Sequence, residues 1–450
     1  MRPQRRFRSS VRWAALLTTG VLALSACGQA DNLEDSTDDE AGGEADTEAA
    51  DGDADGEATI RFSWWGSDSR HQMNQEVIDL FEEQNPDITV VPDYTDWGGY
   101  WDKLATQTAG GDTPDVMMQE ERYVREYADR GVLADLMDVG IDTSEIDDSV
   151  LANGEFDGGL WTIPTGVNAR TFVTDPQVFS DAGVDLPDDA TWTWQEFHDT
   201  MVAVNEGSDD LHGAQDFGFL DSDLQIWLRQ HGQTLWDDDG NIGFVAELMA
   251  DFWQMSLDLH DDGGAPDVSE SLEVDAAGPE QSLVALNTGG TARFWSNQLG
   301  AISGAADRDL TLLRFPGETE FERTGIYLKP AMSLSMSENT EHPEAAAKFI
   351  DFMLNSPEVG EIILTDRGLP GNLDVREHIL GELSDADQVA ADFVADVTPD
   401  IVDAPPPPPT GAGEVADILA RYNEQVMFGQ MSPLDAAEAF IDEATAATSG

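Results

Sequence analysis

The chain has 450 residues, with 90 Asp or Glu against 22 Lys or Arg, a formal net charge of −68 and a single cysteine. Such a charge excludes nucleic acid and anionic membrane surface as partners, because both repel a polyanion, and one thiol excludes an internal disulfide. The acid is spread along the whole chain and lysine is confined to Lys103, Lys329 and Lys348, which fits a solvated coat in a salt-adapted protein; capture of a cationic solute is the other reading.

In chain order, Arg2, Arg5, Arg6, Arg8 and Arg12 precede the apolar stretch Ala14 to Leu24, which is too short for a stable membrane span. The stretch ends in Leu24-Ser25-Ala26-Cys27-Gly28, which resembles the bacterial lipobox. Residues 1–26 are therefore expected to be a signal peptide and Cys27 the lipidated first residue of an extracytoplasmic, membrane-anchored protein; a diacylated cysteine holds durably where one acyl chain does not. Arg5-Arg6 hints at twin-arginine export, but the residues after it match that signal poorly. Residues 28–58 carry 13 Asp or Glu and no Lys or Arg, so residues 27–58 read as an acidic tether without a core of its own.

Folded elements follow. Thr59 to Trp64 alternates like a strand, and Met73, Val77, Leu80 and Phe81 recur at helical spacing up to Pro86. Ile88 to Val91 is a second strand, with a helix over Tyr100 to Thr108 ended by Gly110-Gly111. Pro114 to Met118 is a third, followed by a helix over Glu121 to Arg130 capped by Gly131. Alternating strands and helices predict parallel pairing, an α/β lobe. Further on, Thr193 and Glu196 predict a capping box flanked by Trp192 and Phe197 as a hydrophobic staple. Pro405 to Pro409 predicts a stiff surface segment.

Parallel sheets bind ligands beyond the carboxyl ends of their strands. The three strand ends here carry Trp64, Trp65, Gly66 and Ser67; Asp96 and Trp97; and Gln119 and Glu120. Indole faces cover the apolar C–H patches of a sugar ring while carboxylates and amides meet its hydroxyls. Trp64 and Trp65 point to opposite faces of a strand, so at least one is expected outside the core. Trp97 either faces ligand or caps the next helix. One of Trp227 and Trp236 is a candidate cleft residue, and Trp295 with Asn297, after Gly289-Gly290, is a candidate contact. Lys329 is read either as a cleft cation pairing Glu120 or an acidic sugar, or as a surface ion pair. Carboxylate pairs arise by chance among so many acids, and no His-Glu-x-x-His, Gly-x-Ser-x-Gly or phosphate-binding glycine loop is present. No catalysis, metal or cofactor is expected.

Ser63-Trp64-Trp65-Gly66, Pro114-Asp115-Val116, Ile163-Pro164-Thr165-Gly166-Val167-Asn168, Trp192-Thr193-Trp194, Trp295-Ser296-Asn297-Gln298 and Tyr327-Leu328-Lys329-Pro330 occur in this order along residues 59–450. Together they resemble the family-1 extracellular solute-binding proteins, the carbohydrate receptors of ABC importers. The resemblance implies an α/β, two-lobed periplasmic-binding-protein-like (class II) fold with three hinge crossovers, near Asn168, near Tyr327 to Lys329 and near Arg367 to Pro370. It places one lobe at 59–167 plus 330–360 and the other at 168–326 plus 370–450. It further implies a monomeric receptor that closes on a mono- or oligosaccharide and docks on ABC permease subunits. A cell-surface carbohydrate-active enzyme is the rival reading.

Overall fold

The computed structural model describes residues 57–448 apart from residues 138, 209 and 210. The signal peptide, Cys27 and nearly all of the acidic tether lie outside the described residues. Among the described residues, no helix is long and apolar enough to cross a membrane.

Strand β1 (Ala58–Trp65) pairs in parallel with β2 (Ile88–Thr95), Trp64 opposite Tyr94, and with β3 (Val116–Gln119), Phe62 opposite Val116. Helices α1 (Asp68–Gln84), α2 (Trp97–Gly110) and α3 (Glu121–Asp129) follow the three strands. Helix α1 stops before Pro86, which lacks an N–H and disfavours helical backbone at Asn85. Helix α2 ends on Gly111 at φ 72°, a left-handed conformation that glycine adopts without a Cβ penalty.

Helices cover both faces of this sheet. On one, Phe62 meets Phe349 of the Pro343–Asn355 helix at 5.1 Å, and Phe81 of α1 meets the same ring at 5.0 Å. On the other, Trp65 packs on Tyr100 and Trp101 of α2 at 5.1 and 5.5 Å. Trp64 and Trp65 are thus both buried, against the expectation that one would leave the core. Alternation sends them to opposite faces; Trp64 is fully enclosed, while Trp65, largely covered by α2, still borders a cavity at the strand end.

The full sheet has nine strands, running β2, β1, β3, Leu328–Met336, Ile163–Thr174, Gly289–Trp295, His212–Ala214, with two short strands added to Ile163–Thr174. Ile163–Thr174 carries the architecture. Its first half pairs antiparallel with Leu328–Met336 and with Leu369–Pro370; its second half, from Arg170, pairs with Gly289–Trp295 and Thr311–Leu313. One continuous strand thus serves both lobes and passes between them at Asn168 to Arg170. The chain returns to the first half of Ile163–Thr174 at Leu328, which pairs with Ala169. Beyond Pro370 the chain stays with β1's lobe for a further turn: Asn372 bridges Ile146, Leu373 N donates to Glu145 O at 2.8 Å, and Val375 packs on Gly360.

The second lobe is helix-rich around Phe172, Trp194, Phe197, Phe217, Trp253 and Phe440. The capping box forms as expected: Glu196 N donates to Thr193 Oγ1 at 3.1 Å, Thr193 N donates to Glu196 Oε2 at 2.9 Å, and Trp192 meets Phe197 at 5.6 Å. A buried charge network ties this lobe together. Arg170 donates to Asp223 through Nε at 2.5 Å and Nη2 at 3.1 Å, Arg293 Nε lies 2.8 Å from the same carboxylate, and Arg293 Nη2 reaches Asp275 at 2.6 Å.

A second buried pair makes stability depend on pH. His260 has acceptors at both ring nitrogens, Asp216 Oδ2 at 2.5 Å from Nε2 and the Pro266 carbonyl at 2.6 Å from Nδ1. Both nitrogens must donate, so the ring is an imidazolium. Burial alone would depress it, but Asp216 outweighs burial and holds His260 above its usual range. Unfolded, His260 releases its proton near pH 6.5; folded, it keeps it to higher pH. Its contribution is therefore complete below about pH 6.5 and declines as pH rises through the raised folded value. Unfolding in urea from pH 6 to 9 should show this decline. His260→Gln should flatten it and lower stability by about 1.5–3 kcal/mol at pH 6; a wild-type profile as flat as the variant's would refute the imidazolium.

Candidate functional site

The ends of β1, β2 and β3 and the two passages between lobes converge on one cleft. Two cavities share Glu120, Trp295 and Lys329 as common wall. The smaller, about 290 Å³, is bounded by Trp65, Trp97, Asn168, Asn297 and the Arg70–Asp366 pair. The larger, about 360 Å³, has Glu121, Arg122 and Asn153 on one side and Asp221, Gln225, Trp236, Tyr327 and Pro405 to Pro408 on the other. A third space of about 870 Å³ continues past the prolines, toward Asp147, Asp148 and Phe156.

Trp295 ends its strand opposite Arg170 in register, which fixes the indole at the seam between the lobes. The Arg170 guanidinium lies 5.2 Å and the Lys329 ammonium 5.8 Å from its ring centroid, and Tyr327 stands edge-on at 6.3 Å. These cations hold the ring by its quadrupole while part of the indole stays accessible. Lys329 is a cleft cation and not a surface one: it pairs Glu121 and lies 3.6 Å from Glu120. Burial would push the Glu120 carboxyl up, but Lys329 and Arg122 outweigh it and hold Glu120 below the usual carboxylate range. Asn168 lines the smaller cavity, and its buried Oδ1 has no partner among the described residues. The wall thus combines aromatic faces with acceptors, the surface a polyol requires.

The structure brings together Trp65, Trp97, Glu120, Asn168, Trp236, Trp295, Asn297, Tyr327 and Lys329. Trp97 is 41% exposed at the start of α2 and packs edge-on against Trp65 at 5.1 Å. Other candidates do not reach these cavities. Trp64 is wholly buried, its indole N–H donating to His71 Nδ1 at 3.0 Å. Trp227 donates to the Leu248 carbonyl at 2.8 Å and borders a separate space with Trp194 and Phe321. Asp96 is the exposed N-cap of α2, accepting from Gly99 N at 3.0 Å. Gly66 N donates to the Thr95 carbonyl at 3.1 Å, and the Ser67 hydroxyl meets that of Ser69 at 2.8 Å. Gln119 is fully buried, with both amide atoms unpartnered among the described residues.

Sequence reasoning missed Arg122, Asp221, Gln225 and the role of the prolines. Pro405 to Pro408 are half-buried cleft wall and not free surface. Asp403, just before them, is clamped to the second lobe by Arg229 at 2.8 Å and Arg323 at 2.7 Å, so the rigid run leaves a fixed point. A run of five prolines signals stiffness, but nothing local to it tells where it lies.

Two α/β lobes sharing one strand, with an aromatic and acceptor-lined cleft at the passages between them, define a capture protein and not a tunnel or a closed core. The chain belongs to the bacterial extracellular solute-binding proteins, whose family model matches residues 67–359. It is 24% identical over 360 residues to the diacetylchitobiose binding protein DasA of Streptomyces coelicolor, covering 76% of this chain and 79% of that one. An uncharacterized lipoprotein of Streptomyces antibioticus is 24% identical over 333 residues, covering 69% of this chain and 70% of the relative. The solved family-1 extracellular solute-binding protein of Alicyclobacillus acidocaldarius superposes with a TM-score of 0.76 at 25% identity, covering 88% of this chain and all of that one.

Proposed function

We propose that this protein is a lipid-anchored, monomeric receptor that captures a carbohydrate between its lobes and presents it to the permease of an ABC importer. The observation that carries the reading is Trp295, accessible to both cleft cavities and ringed by Glu120, Asn168, Tyr327 and Lys329. Stacking on such a face adds about 0.5–1.5 kcal/mol beyond burial. The lobes are taken as 59–167 plus 330–379 and 168–326 plus the chain from 380, the limits expected from the sequence with the third passage moved past Ile379 because residues 372–379 pack on the first lobe. Cys27 anchors the protein, and the acidic segment after it joins the anchor to the lobes beside the permease. The lipoprotein relative supports the anchor, and the chitobiose-binding relative supports an oligosaccharide ligand.

Tryptophan fluorescence titrated with mono- and oligosaccharides should saturate, and the sugar should be recovered intact. Shortened products would favour the enzyme reading. A flat response to every sugar together with a response to polyamines would replace the carbohydrate by a cationic solute. The anchoring half is read separately: Cys27→Ser should shift the protein from the membrane fraction to the medium.

A further inference from the structure

Four arginines among the described residues are only 2% exposed: Arg170, Arg229, Arg293 and Arg367. Arg170 and Arg293 meet Asp223, and Arg229 meets Asp403. Arg367 has no ion pair among the described residues. Its neighbouring carboxylate, Asp366, is engaged by Arg70 at 2.7 Å. The nearest carboxylate is thus taken by Arg70, which leaves the buried Arg367 charge without a paired anion.

The hydrogen-bond inventory at Arg367 is one-sided. Its Nη2 donates to Asn74 Oδ1 of α1, while Nε and Nη1 have no partner among the described residues, and neither has Asn74 Nδ2. All three unpartnered groups are donors. Burial pushes the guanidinium down to about 10, a push that Asp366 opposes and Arg70 reinforces. Arg367 also borders a cavity of about 20 Å³ with Thr165, Leu364, Gly368 and Pro370. That space admits a particle of roughly one water or one halide in size, and no polyatomic oxyanion.

We propose that Arg367 binds a buried halide, chloride in ordinary salt solution, in this cavity beside the segment Asp366 to Pro370. A halide only accepts, so it satisfies donors and cancels the residual charge at once. A water molecule could satisfy the donors but would leave the charge of Arg367 uncompensated. Leu369–Pro370 pairs with the strand shared by the lobes, so the ion would lie against that strand's neighbour.

Thermal unfolding at fixed sodium and fixed ionic strength, with chloride or bromide exchanged for gluconate, tests this. The midpoint should rise with halide, by roughly 2 °C per tenfold increase once the site fills, and Arg367→Met should abolish the difference between halide and gluconate. Crystals of the unaltered protein in sodium bromide should show an anomalous peak within hydrogen-bonding distance of the Arg367 guanidinium, a readout independent of whether the variant folds. Equal midpoints in chloride and gluconate, a halide effect that persists in Arg367→Met, or an ordered water without bromide at Arg367 would each overturn the assignment.

Discussion

Replacing Asp223 by alanine should lower the unfolding free energy by about 3–5 kcal/mol, the largest single-residue stability loss expected in the second lobe. Asp223 is wholly buried and receives Arg170 through two nitrogens and Arg293 through a third. The size of the loss comes less from the attraction removed than from the charge left behind. Arg293 keeps Asp275 at 2.6 Å, but Arg170 would retain only the Trp295 face at 5.2 Å. An unpaired guanidinium in the interior cannot recover its hydration, and its donors would be unmet. Restoring apolar packing by combining Asp223→Leu with Arg170→Met should recover part of the loss, because it removes both charges together. Urea denaturation of the three proteins is the measurement. A loss below about 1 kcal/mol for Asp223→Ala would mean that Arg170 finds another acceptor and that the network is not the lobe's organising centre.

Trp295→Ala should weaken sugar binding by about 2–3 kcal/mol, roughly 30- to 150-fold in dissociation constant, with a smaller effect on stability because the ring is only half-buried. Trp295 borders both main cavities of the cleft, so truncation removes the shared wall and merges them. It also frees Lys329 from the ring it faces at 5.8 Å. Trp97→Ala, at the exposed end of the smaller cavity, should cost less, about 1 kcal/mol. Calorimetric titration of both variants with the sugar selected by fluorescence gives the comparison. An unchanged affinity in Trp295→Ala, with folding intact, would remove this indole from the binding surface.

What could be read from residues alone was local or periodic. Pro86, Gly111 and the Thr193–Glu196 box marked helix ends correctly because each acts on its own backbone within a turn. The three strand-end clusters lie along one edge of the sheet because parallel pairing brings carboxyl ends together. Within those clusters the choice between Trp64 and Trp65 was not available, since it depends on Pro343–Asn355, a helix nearly 280 residues further along that closes one face over Phe62. Lys329 could be singled out by rarity and Glu120 offered as its partner across about two hundred residues, but the closer pairing with the adjacent Glu121 could not be read from the sequence.

Composition and order by themselves determined an acidic, α/β chain of this family, because composition, periodicity and motif order are linear properties. Only the tertiary structure decided which aromatics face the cleft, that Pro405 to Pro408 form its wall, and that Arg367 is buried without a carboxylate. Those facts depend on which distant surfaces are pressed together and which charges are left unpaired when they are, and a one-dimensional pattern carries neither.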